Sequence, residues 1–240
     1  MNAILPDTND SAFRSLCKAG GIASFVFIIY SLITIVIITV AGGPPSTAAE
    51  AFSMLHQNRV LGLLRMDLLT VVFIPLYYLI FLGIFLAVHG NKNAWSIIAL
   101  LAVFVGVTLF MATPSVLAML NLSDKYATAT SENQQNQLIA AGEAILTSDM
   151  WHGTGAILGG ILIQFGALLF SILMLPGNVF NRLTAYVGII THGLDFVHFF
   201  FLFLMPPVGV ILLAIAGTLY LLWFPLIGVR LLHIGRQAQV

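Results

Sequence analysis

His192, Asp195 and His198 stand three residues apart within the apolar run Leu183 to Met205. On a helix, residues at that spacing share one broad face. Imidazoles and a carboxylate on one face suit proton relay, hydrogen bonding to a polar ligand, or metal binding. An ionisable group at the centre of a bilayer costs roughly 2.5–3.5 kcal/mol on insertion scales, so the three need a protein interior, water or each other. The two histidines are separated by about 9 Å of helical rise, too far for both to join Asp195 on one ion from an unbroken helix. A metal would take Asp195 and one histidine, completed by His152 and Asp67 from other helices. Such a zinc site lowers the pKa of a bound water and polarises a lipid amide or ester carbonyl. No HExxH-type signature is present. The first expectation is therefore no cofactor, with zinc on His152, Asp195 and His198 as the alternative.

The elements that must position these groups are membrane helices. With 60% hydrophobic residues, 8% charged residues and a mean hydropathy of +1.03, the chain lacks the polar surface an aqueous globule needs. Nine Lys+Arg balance nine Asp+Glu, and no basic cluster points to nucleic acid. The single Cys17 makes neither an internal disulfide nor a cysteine metal cage.

Six spans are predicted, at about 20–41, 60–89, 94–121, 150–175, 183–205 and 208–233. The first follows a polar lead with Asp7, Asp10, Arg14 and Lys18 and is too long for a cleaved signal, so it is read as retained. Gly42-Gly43-Pro44-Pro45 ends it. Thr47-Ala48-Ala49-Glu50 has capping-box spacing and opens a short amphipathic surface helix to about His56. Pro75 predicts a kink in the second span, and Thr113-Pro114-Ser115 a kink in the third. His89-Gly90-Asn91-Lys92-Asn93 is read as the turn between them, with Trp95 as an interfacial aromatic. Between spans three and four, Leu138, Ala141, Ile145 and Leu146 predict a second amphipathic surface helix over 131–147. Asp149 is placed to cap span four, which carries Gln164 and a Gly155-xxx-Gly159 face that admits a close neighbour.

Arg14, Lys18, Lys92, Arg182, Arg230 and Arg236 fall on the side of the termini, against Arg59 and Lys125 in the opposite loops. The positive-inside rule then makes both termini cytoplasmic. In that topology Asp195 lies about 18 Å into span five, Asp67 about 10 Å below the outer edge in span two, and His152 nearer the outside. The expectation is an outward-opening polar pocket between spans two, four and five, formed by Arg65, Asp67, His152, His192, Asp195 and His198.

Blander readings stand beside it. An Asp–His or Arg–Asp pair fastens helices through hydrogen bonds typically worth well under 2 kcal/mol each, with no ligand. Arg65 either snorkels to the headgroups or pairs with Asp195. His56, His89 and His233 sit at helix ends and read as interfacial. Tyr77, Tyr78 and Phe199 to Phe201 read as lipid-facing or packing aromatics. The Asn121-Leu122-Ser123 sequon matters only in a glycosylating pathway. Full secondary-transporter architecture is disfavoured, because no inverted repeat or matched pair of broken helices is evident.

Arg65-Met66-Asp67-Leu68-Leu69, His152-Gly153-x-Gly155, Asn181-Arg182-Leu183 ahead of a mid-helix Asp, and Leu221-Leu222-Trp223 together resemble a bacterial family of six-helix integral membrane proteins known only as a domain of unknown function. The likeness runs from about Lys18 to Arg236. It implies a six-helix fold in a prokaryotic cytoplasmic membrane, with Arg65, Asp67, His152 and Asp195 in the family's polar pattern, and it brings no reaction with it. Membrane hydrolases that include alkaline ceramidases are similar in ligand type alone, with one helix more and a histidine pair at i, i+4 spacing that is missing here. The resulting expectation is a single all-α, six-span domain with two surface helices in its outer loops. It is a binding, accessory or transport-related module rather than an enzyme. Its partners are membrane lipids and a small amphiphilic ligand, not nucleic acid.

Overall fold

The computed structural model describes residues 11–88, 94–113, 116–149 and 152–236. Those residues form helices and no strand: α1 (Ser11–Ala41), α2 (Ala48–Gln57), α3 (Arg59–Arg65), α4 (Leu68–Phe73), α5 (Leu76–Val88), α6 (Ala94–Met111), α7 (Val116–Ala127), α8 (Glu132–Leu146), α9 (Thr154–Leu173), α10 (Arg182–Leu204) and α11 (Pro206–Arg236). Five stretches are long and apolar enough to cross a membrane: Ser11–Ala41, Ala94–Ala127, Thr154–Leu173, Arg182–Leu204 and Pro206–Arg236. Their outward faces carry large exposed apolar side chains, among them Val36, Leu101, Ile190, Phe203, Val210 and Leu222. A lipid-facing surface needs such side chains, and a water-facing one would suffer from them. The predicted turn at 89–93, the kink residues Pro114 and Ser115, Met150 at the predicted start of span four, and Asp7 and Asp10 lie outside the described residues.

The predicted second span is divided into α3, α4 and α5. Pro75 accounts for the second break, since it has no amide to donate and its ring crowds the preceding turn. The first break was not predicted. Asp67 adopts the left-handed conformation with φ 62°, which short polar side chains tolerate, and its amide bonds Leu64 O at 3.1 Å instead of continuing the helical ladder. At 13 residues, α5 spans about 20 Å, short of a hydrocarbon core about 30 Å thick. α1 begins nine residues before its predicted start, because Arg14 and Lys18, read as a polar lead, continue a helix as readily as apolar residues do.

The chain divides into two compact units. The first comprises Met1–Ile28, Pro75–Thr108 and Gly159–Val240. Within it α10 and α11 form an antiparallel hairpin turned at Met205; at its open end Arg230 Nε donates to Val179 O. Glycines set the spacing of the other helices. A Cβ on Gly106 of α6 would stand 2.6 Å from Gly159 O of α9, and one on Gly20 of α1 would stand 2.7 Å from Leu79 O of α5. These backbones touch, as the small-residue face on span four anticipates.

The second unit comprises Ile29–Ile74 and Leu109–Leu158. Here Ala48, Ala51, Phe52, Leu55 and Met119 form a core that Leu138, Ile139, Ile145 and Leu146 of α8 cover. The apolar faces of α2 and α8, predicted as separate surface helices, thus meet across α7. The α2 cap is more extensive than its sequence signature. Thr47 accepts from the Glu50 amide at 3.1 Å, and Glu143 Oε1 of α8 accepts from the Ala48 amide at 2.7 Å. Glu50 reaches back one residue further than a capping box requires and takes the Ser46 amide at 2.8 Å.

Candidate functional site

The one cluster of buried polar side chains joining several helices of the first unit, among the described residues, is built around Asp195. α10 places His192, Asp195 and His198 on its buried face, as the spacing of three predicts. His198 Nδ1 bonds the Asp195 backbone oxygen at 2.5 Å, which also brings the imidazole to 2.7 Å from Asp195 Oδ1. Asp195 Oδ2 accepts from the Tyr220 hydroxyl of α11. The Tyr220 oxygen also lies 2.9 Å from Gln164 Oε1 of α9, and that same amide oxygen takes His192 Nδ1 at 2.8 Å. His192 Nε2 has no hydrogen-bond partner among the described residues.

Trp223 completes the cluster. Its ring meets that of His192 edge to face at a centroid distance of 4.4 Å, and its Nε1, a donor, is likewise buried without a partner among the described residues. Space around the two is tight: a Cβ on Gly188, one turn before His192, would strike both Trp223 Nε1 and Ser171 Oγ. On the other flank Phe199 fills the place that a side chain on Gly160 of α9 would take. Glycine at both positions lets α9, α10 and α11 close around the polar groups.

Chemically the cluster is rich in acceptors. Asp195 Oδ2 accepts from Tyr220, Oδ1 has the His198 imidazole beside it, and Gln164 Oε1 stands near as a further acceptor. It is charge-economical: an ionised Asp195 beside a protonated His198 forms a neutral pair, whereas either ion alone in that interior costs several kcal/mol.

The remaining predicted site residues lie in the second unit, and two of them have other employment. Arg65 donates to Gly43 O from Nε at 3.1 Å and from its terminal nitrogen at 2.8 Å, and lies 4.0 Å from Glu50. It ties down the loop that ends α1. His152, with 68% of its side chain exposed, pairs through Nδ1 with Asp149 Oδ1 at 2.9 Å, and the same carboxylate takes its amide at 3.0 Å. Asp149 thus organises the turn ahead of α9 rather than capping the helix itself. Asp67 is buried at the break between α3 and α4. Among the described residues no group of three His, Cys, Asp or Glu side chains is placed to hold a metal ion. Within the first unit a metal would find two such donors, Asp195 and His198.

Sequence reasoning noticed Gln164 only as a polar residue deep in its helix and Trp223 only within the Leu221-Leu222-Trp223 motif, and it passed over Tyr220. The signal was present for Tyr220. It is the only tyrosine in the last predicted span, in an otherwise apolar stretch, on a helix that one tight turn folds back along α10. Compared with family models, curated proteins and solved structures, the chain finds no match.

Proposed function

We propose that this chain is a six-span protein of a prokaryotic cytoplasmic membrane that binds a small amphiphile or lipid as an accessory or transport-related module, without catalysing a reaction. The observation that carries it is the gathering of buried acceptors around Asp195 in the middle of membrane-length helices. A purely structural fastening would pair its members off, whereas this one leaves His192 Nε2 and Trp223 Nε1 without partners among the described residues. Ionisable groups at that depth serve ligands or protons by default. The chemistry favours an amphiphile whose head bears amine or hydroxyl donors, entering a polar pocket around Asp195 from the outer side.

Six crossings follow if α3, α4 and α5 together supply one. With the positive-inside rule, both termini are then cytoplasmic, and α2 and α8 lie as surface helices in the outer loops. Arg14 and Lys18 of α1 stand beside Gly235 near the end of α11, so basic residues gather at one end of the first unit. Membership of the bacterial six-helix family of unknown function belongs to the same reading.

The test is thermal melting of the full chain in mild detergent with single-chain amphiphiles bearing amine, hydroxyl or carboxylate heads, for wild type and Asp195→Asn. The expected outcome is a rise in melting temperature with amine or hydroxyl heads that the variant loses. No shift with any head, or an unchanged shift in the variant, refutes the reading. Elemental analysis of the same samples addresses the alternative: near-stoichiometric zinc lost in both His152→Ala and Asp195→Ala would make a metal-dependent intramembrane lipid hydrolase the better assignment.

A further inference from the structure

Asp67 stands apart from the Asp195 cluster and needs its own account. Its carboxyl is 8% exposed, and Oδ1 has no hydrogen-bond partner among the described residues. No described Lys, Arg or His forms an ion pair with it; Arg65, two residues earlier, is committed to Gly42, Gly43 and Glu50. Two neutral hydroxyl-bearing residues stand near it: Thr70, one turn on, donates its amide to Asp67 O at 3.1 Å, and Tyr30 of α1 is a hydrogen-bonding neighbour of Thr70. Tyr30 is itself held in place by stacking on Phe73, with centroids 5.2 Å apart.

A buried carboxylate with only neutral neighbours is neutralised either by a proton or by a bound cation. The donor set discriminates among cations. One carboxylate with two hydroxyls supplies a single negative charge and hard oxygen ligands. Divalent ions recruit more carboxylate than this, and soft metals seek sulfur or imidazole. The break adds to the set, because the left-handed turn sends the Asp67 amide to Leu64 O and leaves carbonyls of the last turn of α3 without helical partners. Unwound backbone beside a carboxylate is the way interrupted membrane helices hold Na⁺.

We propose that Asp67, with the hydroxyls of Thr70 and Tyr30 and the released backbone of the α3–α4 break, forms a binding site for a monovalent alkali cation. The proposal is independent of any ligand at Asp195. It is tested with the full chain in mild detergent and a sodium-free choline chloride buffer, replacing choline by Na⁺ at constant ionic strength and pH. The expected result is a saturable rise in the melting temperature of the wild type. At ten times the dissociation constant the rise is about 3–6 °C. Asp67→Asn should lose it, and Tyr30→Phe and Thr70→Val should each shift half-saturation several-fold upward. A wild type indifferent to Na⁺, including one that responds to pH alone, overturns the proposal and hands the site to a proton. So does a sodium response that survives Asp67→Asn. If Asp67→Asn fails to fold, unchanged half-saturation in both hydroxyl variants does the same.

Discussion

Asp195 and its neighbours divide their work unequally, and single substitutions separate the parts. Tyr220→Phe removes one hydroxyl and nothing else, leaving Asp195 with His198 alone. Loss of a hydrogen bond to a buried carboxylate costs about 1.5–3 kcal/mol, and the melting temperature should fall accordingly. Gly188→Ala attacks the same cluster through volume. The added methyl meets Ser171 Oγ and Trp223 Nε1, and overpacking of this kind costs about 1–3 kcal/mol. The two variants differ in their spectrum: Gly188→Ala should perturb Trp223 fluorescence, whereas Tyr220→Phe should leave it near that of the wild type. Equal spectral changes would mean that Trp223 and Tyr220 are not separately seated.

At the scale of elements, α2 is a ten-residue helix held at its start by three acceptors from different places: Thr47, Glu50 and Glu143. An isolated helix that short is marginal in water, so its caps and its packing decide whether it forms. Glu143→Ala removes an acceptor that arrives from α8 and should cost about 1 kcal/mol, measurable as an earlier loss of helicity on heating. Glu50 adds a pH dependence. Its bonds from the Ser46 amide and hydroxyl hold its carboxyl below the ordinary value of 4.5. Its contribution is therefore complete above that pH and is lost as pH falls through the lowered folded value. Melting curves from pH 6 down to pH 3 (roughly bracketing the carboxylate range) should show a decline that Glu50→Gln flattens.

This scale also shows what the sequence made legible. The period-three placement of His192, Asp195 and His198 was enough to put them on one buried face, and Thr47-x-x-Glu50 was enough to start α2 at Ala48. The break at Asp67 was not legible, because a left-handed aspartate inside an apolar run leaves no local signature; nothing in Met66-Asp67-Leu68 forbids a helix. Nor was the partner of Arg65, since bonds to Gly42 and Gly43 carbonyls depend on how the loop after α1 returns, a matter of tertiary packing. Tyr220 was missed for a different reason. Its standing as a lone polar group in an apolar helix was visible, but the neighbour it serves is set by the hairpin that brings it to Asp195.

For the whole molecule, the distribution of charge implies an orientation. A reporter active only in the cytoplasm, fused after Val240, should be active, and the same reporter inserted between α7 and α8 should be silent; the reverse pattern would invert the assigned topology. α1, running over 31 residues from Ser11–Ala41, is about 46 Å long and exceeds the hydrocarbon core, so its basic start near Arg14 and Lys18 reaches the headgroup layer on that side. The close approach of Arg14 and Lys18 to Gly235, where a side chain would not fit, packs the first and last helices together there.

The single-residue turn at Met205 leaves α10 and α11 almost no chain between them, which sets an expectation for their insertion. A ribosome delivers α10 before α11, and α10 emerging alone would present two histidines and an aspartate to lipid with Tyr220 and Trp223 still unsynthesised. Its passage into the bilayer by itself is correspondingly poor. Because Pro206 begins α11 directly after the turn, the two segments are positioned to leave the insertion channel together, with Asp195 already shielded by Tyr220. The polar cluster would thus make biogenesis cooperative at the last two helices: a chain truncated after Leu204 should stall α10 at the channel and be cleared by quality-control proteolysis, whereas the complete hairpin carries its own passport into the membrane.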